Sequence, residues 1–221
     1  MNKNRLAATL LLCLLAVAAF TQDVLSIDLH QAMQHNGIRV LNREATLIHD
    51  ATYKGIRLSK EYGEGVAWLS GIEFSNGVIE FDVRGEDVKQ HSFVGFAFHG
   101  QNDSTYDAIY FRPFQFKAQD EVLRNRSIQY VAFPTFTWRY LREHFPGKYE
   151  HAIDPSPDPN AWMRVRIVVQ GTMVSTYVNG SDTPSLVIEK TSSFHKGAIG
   201  FYVADTSGGD FANISITKTP D

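Results

Sequence analysis

The 221-residue chain contains one cysteine, Cys13, and it lies within an apolar stretch near the N-terminus. The rest of the chain therefore has no disulfide and must be held together by its core alone. An excess of either charge is also missing. Lys and Arg number 21 against 24 Asp and Glu, a formal charge of −3, with no block of like charges. A nucleic-acid partner calls for a basic face, so this balance argues against one. Sustained helical periodicity is absent, so regular structure has to come from strands. The chain has no Gly-x-Ser-x-Gly elbow, no glycine-rich phosphate loop and no His-x-His or His-Glu-x-x-His spacing. Serine-nucleophile, phosphate-loop and local zinc chemistry thus lack sequence support, and no metal ligand is assigned.

The longest apolar run is Leu6 to Phe20, preceded by Lys3 and Arg5 and containing small residues at Ala16, Ala18 and Ala19. This order of basic start, short apolar run and small residues predicts a signal peptide over residues 1–22. A secreted or periplasmic protein follows, with no membrane attachment after cleavage. The remaining residues, 23–221, suit a single all-β domain, and 43% hydrophobic and 12% aromatic residues can supply its core.

Period-two alternation predicts strands at 37–41, 45–49, 55–59, 65–74, 77–84, 92–99, 106–114, 126–134, 162–170, 173–179, 184–189, 197–205 and 210–217. Turns such as "SNG", "GQNDST", "NGSDTP" and "TSGGD" separate them, a spacing that predicts a β-sandwich or barrel. Residues 135–161, "TFTWRYLREHFPGKYEHAIDPSPDPNA", break the pattern as a long aromatic loop in which "WRYLREHF" has the makings of a helical turn. Connections of that length are usually functional or disordered, and its aromatic content argues against disorder.

Successive side chains of a strand face opposite ways, which divides each strand into two sets. With Val94, Phe96, Phe98, Ile109 and Phe111 assigned to the core, the other face of two strands receives His99, Tyr106, Tyr110 and Arg112. The same parity turns Arg166 outward on 162–170. On 126–134 it leaves either Gln129 or Tyr130 on that face. Trp138 and Arg142 of the aromatic loop complete the set. Tyrosine, tryptophan and arginine together are unlike an ordinary wet face, which favours Lys, Glu and Thr. Rings that stack on a pyranose beside planar polar groups suit a saccharide ligand.

Glu80 and Asp82 share one face of 77–84, but the third carboxylate of a laminarinase-type Glu-x-Asp-x-Glu row is replaced by Arg84 and Gly85. They are read as a solvent-facing row paired with Arg84 rather than the acid and nucleophile of a glycosidase. No cofactor is required by the sequence. Calcium stays open through the loop aspartates Asp154, Asp158, Asp205 and Asp210, although turn formation accounts for them.

Four segments, "FSNGVIEFDVRG", "FVGFAFHGQNDSTYDAIYFRPF", "AWMRVRIVVQGTMVSTYVNG" and "GAIGFYVADTSGGDFANISI", resemble the concanavalin A-like lectin/glucanase superfamily. Among its members the chain is most similar to the 3-keto-disaccharide hydrolase-type domains of exported bacterial proteins, from about Gly37 to Thr217. The resemblance implies a jelly-roll β-sandwich of two antiparallel sheets with a carbohydrate site on the concave one. It departs from that pattern where "SFVGFAFH" replaces the strand leading to a site glutamate, so no catalytic residue carries over directly. The expectation is a saccharide-binding protein. As an enzyme it would cleave a (keto)disaccharide by hydrolysis or a lyase-like route. In that role His99 is the general acid/base, Tyr110 and Arg112 assist it, and Tyr106, Gln129 or Tyr130, Trp138, Arg142 and Arg166 hold the sugar. The alternative is a non-catalytic carbohydrate-binding or structural module.

Overall fold

The computed structural model describes residues 24–219, so the expected signal peptide and its cleavage point lie outside the described residues. The chain opens with β1 (Val24–Ser26), helix α1 (Leu29–Gln34), β2 (Ile38–Leu41), β3 (Ala45–His49) and β4 (Lys54–Leu58). Next are β5 (Gly65–Phe74), β6 (Asn76–Arg84), β7 (Val94–Asn102) and β8 (Thr105–Phe111). A 3-10 turn (Pro113–Gln115), α2 (Glu121–Arg124), β9 (Ile128–Phe133), α3 (Trp138–His144) and β10 (Glu150–His151) follow. The last strands are β11 (Met163–Gln170), β12 (Met173–Val178), β13 (Leu186–Glu189), β14 (Gly197–Val203) and β15 (Gly209–Thr219).

Every strand pairing is antiparallel, and the strands form two sheets. The eight-stranded sheet runs β13-β12-β11-β6-β15-β4-β3, with β1 added beside β15; the seven-stranded sheet runs β10-β9-β8-β7-β14-β5-β2. Phe81 of β6 and Phe211 of β15 meet Phe96 of β7 and Phe201 of β14 between the sheets. Their ring centroids are 5.0 Å apart for Phe81–Phe96 and 4.7 Å for Phe201–Phe211. The result is a jelly-roll β-sandwich, as the alternation and the family resemblance implied.

The two sheets differ on their outer faces. Along β6 and β11 buried and half-exposed residues alternate strictly, so one face of the eight-stranded sheet is wet. Along β7 and β8 nearly every residue is buried. Something must therefore cover the outer face of the seven-stranded sheet. Part of the cover is α3, which lies within the segment read from sequence as a loop, while β10 from the same segment extends the sheet edge beside β9.

Local capping explains helices that periodicity missed. Asp28 accepts from the backbone N–H of His30 and Gln31, Asp120 from Val122, and Thr137 from Tyr140. One or two turns are too short to display a 3.6-residue period, but a cap residue fixes where they start. Gly95 is required on β7 because a Cβ there would lie 2.1 Å from the carbonyl oxygen of Ile109 on β8.

Candidate functional site

Strand pairing places Tyr202, Gly95, Tyr110, Gln129 and Glu150 in one row across the outer face of the seven-stranded sheet. The next row is small, Gly200, Ala97 and Ala108. Residues this small leave room against the sheet. What fills the room is the protein itself. Tyr106, Tyr202, Phe133 and Trp68 close over it, with centroids 5.5 Å apart for Trp68–Tyr106 and 6.1 Å for Tyr106–Tyr202. Tyr106 is thus on the expected face but sealed, and burial raises its pKa above the ordinary tyrosine value. The Tyr202 hydroxyl donates to Glu64, whose carboxyl pKa is raised mainly by burial.

Beyond the tyrosine row the face opens into a cavity of about 480 Å³. Arg112 belongs to its floor, Phe93, Phe114 and Trp138 to its walls, and Arg126 and Arg142 to one side; Tyr62, His91 and Thr206 stand on the rim. Arg112 is only 5% exposed. Its Nη2 donates to the Tyr110 hydroxyl and to Gln129 Oε1, both at 2.5 Å, and its Nη1 donates to the Arg126 carbonyl at 2.8 Å. The guanidinium lies 4.8 Å from the Tyr110 ring centroid and 5.8 Å from that of Phe93. Burial lowers its pKa from the ordinary arginine value and neighbouring Arg142 acts in the same direction, while Tyr110 and Glu150 oppose them. Arg142 reaches Glu150 at 2.6 Å, and Arg126 reaches the same carboxylate at 3.6 Å. Trp138, 41% exposed, has the Arg142 guanidinium 5.1 Å from its ring centroid.

Tyr110, Arg112, Gln129, Trp138 and Arg142 therefore come together. Three other expected site residues do not. His99 follows a break in the β7–β8 register and has φ +51°, a bulge that turns its side chain from the outer face into the interior. It is fully buried, with Nε2 2.8 Å from the Ser75 carbonyl and Nδ1 2.9 Å from Lys190 Nζ. A ligand on the outer face cannot reach it. Tyr130 points into the sandwich and donates to Asp107 at 2.6 Å, so Gln129, not Tyr130, is the member of that strand on the outer face, where it is bonded to Arg112. Arg166 lies on the other sheet, paired in register with Glu80, and covers the Tyr177 ring at 3.8 Å. Strand parity assigned it correctly to an outer face, but parity does not tell one sheet from the other.

His91 was missed as a site residue because it sits in a loop before β7 and carries no motif. Thr206 Oγ1 donates to the Asp205 carbonyl at 2.6 Å, so it accepts from His91 Nδ1–H at 2.6 Å. Nε2 of the neutral ring is then left as an unprotonated base. Strand parity turns Phe93 and Phe114 to the outer face, but neither was counted as a ligand contact, and Arg126 belonged to no candidate set.

Elsewhere the charges are largely matched. A cavity of about 420 Å³ on the eight-stranded sheet contains Arg57, Arg84 and Asp210, but Asp210 pairs with both arginines at 2.7 and 2.6 Å. Glu80 and Asp82 approach Arg164 at 3.7 and 3.5 Å rather than Arg84. Among the described residues no group of three or more His, Cys, Asp or Glu is placed to hold a metal ion.

Two antiparallel sheets in this order define a concanavalin A-like jelly roll. The chain belongs to the 3-keto-alpha-glucoside-1,2-lyase-like domain family, whose model matches residues 35–217. Its fold is similar to that of carbohydrate-binding module CBM66 from Bacillus subtilis (14% identity, TM-score 0.59, covering 82% of this chain and 96% of that one). It is also similar to the Bacillus licheniformis β-glucanase (12% identity, TM-score 0.50, 83% and 93%). A further similar fold is the exoplasmic/lumenal domain of VIP36 in its Ca²⁺/Man3GlcNAc-bound form (10% identity, TM-score 0.54, 85% and 86%). At these identities the likeness concerns the fold alone. No curated protein sequence matches the chain.

Proposed function

We propose that the protein is an exported saccharide-binding domain whose ligand occupies the cavity floored by Arg112. The observation that carries this reading is the pairing of a half-exposed ring, Trp138, with a buried multidentate donor, Arg112, in one cavity. A pyranose presents an apolar face and a rim of hydroxyls, and it needs both kinds of partner. The folds of CBM66 and of the Man3GlcNAc-bound VIP36 domain support the reading by analogy. Export, to the cell exterior or periplasm, rests on the leader at residues 1–22. Glycan-array screening followed by calorimetry tests the site. Trp138→Ala is expected to weaken the best ligand about tenfold, equivalent to about 1.4 kcal/mol. Absence of any glycan ligand, or unchanged affinity in the variant, would remove this site from consideration.

A second reading, cleavage of a 3-keto glycoside, is favoured by the family match and by His91 on the cavity rim. The carbon between the ketone and the anomeric centre is acidic. His91 Nε2 would take its proton, and the electron pair would pass to the ketone oxygen as an enolate beside the Arg112 cation. Collapse of the enolate restores the ketone, forms the C1–C2 double bond and breaks the anomeric C–O bond. The departing alkoxide takes the proton back from His91. An unsaturated-ketone absorbance appearing with a 3-keto disaccharide and lost in His91→Asn is the expected signature. No absorbance change with wild type would leave binding alone.

A further inference from the structure

Arg112 is a buried cation whose hydrogen-bond partners are all neutral: a phenol, an amide oxygen and a backbone carbonyl. Among the described residues no carboxylate lies within 4 Å of it. Beside it, Arg126 and Arg142 share the single carboxylate of Glu150. Glu150 itself does not line the cavity, and Asp205, on the exposed rim, is the acidic residue that does. Three guanidiniums thus face two carboxylates, and the unmatched one is at the floor. A further donor is idle: the Gln129 amide nitrogen is buried with no hydrogen-bond partner, while its oxygen accepts from Arg112 and Tyr110. Desolvating a charge without a counter-charge is costly, and a protein that retains such a group usually uses it. Buried Lys190 shows the contrast, because Asp107 lies 3.6 Å from it. Arg43 is also buried without a carboxylate within 4 Å among the described residues, but it donates to three backbone carbonyls and does not line this cavity.

From this we infer that the cavity selects a saccharide bearing an anionic group, a uronate carboxylate or a sulfate ester, and seats that group over Arg112. The guanidinium charge attracts either oxyanion, its Nε–H is not taken by an acceptor among the described residues, and Trp138 and Phe93 are placed to take the ring that carries it. This inference rests on the cavity being the saccharide site, but not on the protein being a catalyst.

The test is calorimetry on the mature protein with three matched ligands at low and physiological salt. One is a glucuronate-containing disaccharide, one the same disaccharide with the carboxyl reduced to a hydroxymethyl, and one a 6-sulfated analogue of the neutral form. At least one anionic ligand should bind ten- to a hundred-fold more tightly than the neutral one, and which of the two does so identifies the anion. Arg112→Met should erase that preference, as should loss of charge beside it in Arg142→Gln to a smaller degree. A thermal melt of each variant confirms folding, and the wild-type comparison stands without either variant. Equal affinity for neutral and anionic ligands overturns this inference and leaves the saccharide site standing. Failure of all three ligands, together with a blank glycan array, overturns both.

Discussion

Asp107→Ala is expected to destabilise the folded protein by about 3–5 kcal/mol, the range for breaking a buried ion pair by removing one partner. Asp107 is fully buried and accepts from Tyr130 at 2.6 Å and Ser192 at 2.7 Å, with Lys190 at 3.6 Å. Lys190, whose side chain is also fully buried, donates to the Phe194 carbonyl and lies against Nδ1 of His99. Since His99 Nε2 faces a carbonyl, that nitrogen carries the ring proton and Nδ1 accepts from the ammonium. Truncating Asp107 leaves the lysine's charge with no counter-ion and the Tyr130 hydroxyl with no acceptor. Urea unfolding would show the loss as a lower midpoint at nearly constant slope. In the double variant Asp107→Ala/Lys190→Met the charge is gone, so the combined cost should fall well short of the sum of the two single costs. Additive costs, or a single-variant cost below about 1 kcal/mol, would show that the pair is not coupled. Burial holds the Lys190 pKa below the ordinary lysine value. Between the folded and unfolded values the unfolded chain binds more protons, so stability rises with pH across that alkaline window. Lys190→Met should abolish this slope.

Arg112→Met is expected to leave stability within about 1 kcal/mol of wild type, or to raise it, while weakening saccharide binding by about thirty-fold or more. The stability half follows because an unpaired buried charge costs free energy that an apolar side chain of similar length does not. Tyr110 still donates to Gln129 Oε1 at 3.2 Å in its absence, so the acceptor most dependent on Arg112 is the Arg126 carbonyl. The binding half follows because losing one partner of a desolvated, hydrogen-bonded charge contact costs about 2–5 kcal/mol. Paired thermal melts and calorimetric titrations measure both. A large drop in melting temperature with unchanged affinity would make Arg112 a structural residue, not a binding one. A variant that is more stable and inactive would instead identify a site maintained at the expense of stability.

Legibility differed from strand to strand. On β6 and β11 one face is core and the other is water, so alternation alone predicts both faces of Ile79, Phe81, Val165 and Ile167. Tyr110 and Arg112 were placed on the proper face by the same count, because no irregularity interrupts β8 between Asp107 and Phe111. His99 was lost to a single residue. Against β14 the strand has one extra residue between Ala97 and Gly100, which reverses the face assignment, and positive φ at a histidine has no marker in a one-dimensional pattern. Tyr130 and Gln129 were undecided because both faces of β9 are buried, which removes the polar half of the alternation. The helical turn expected in "WRYLREHF" is α3, and its cap, Thr137, fixes where it starts.

The order of apolar and polar residues was enough to establish an all-β sandwich or barrel with aromatic residues and arginines on outward strand faces, since period-two patterning acts within each strand. It did not establish that Arg166 belongs to the opposite sheet, that His99 and Asp107 are closed off with Lys190, or that Arg112 has no counter-ion. Each of those depends on contacts between residues distant along the chain, such as His99 with Lys190 across 91 positions. Burial and pairing of charges are properties of the packed layers, and no local stretch of the chain contains them.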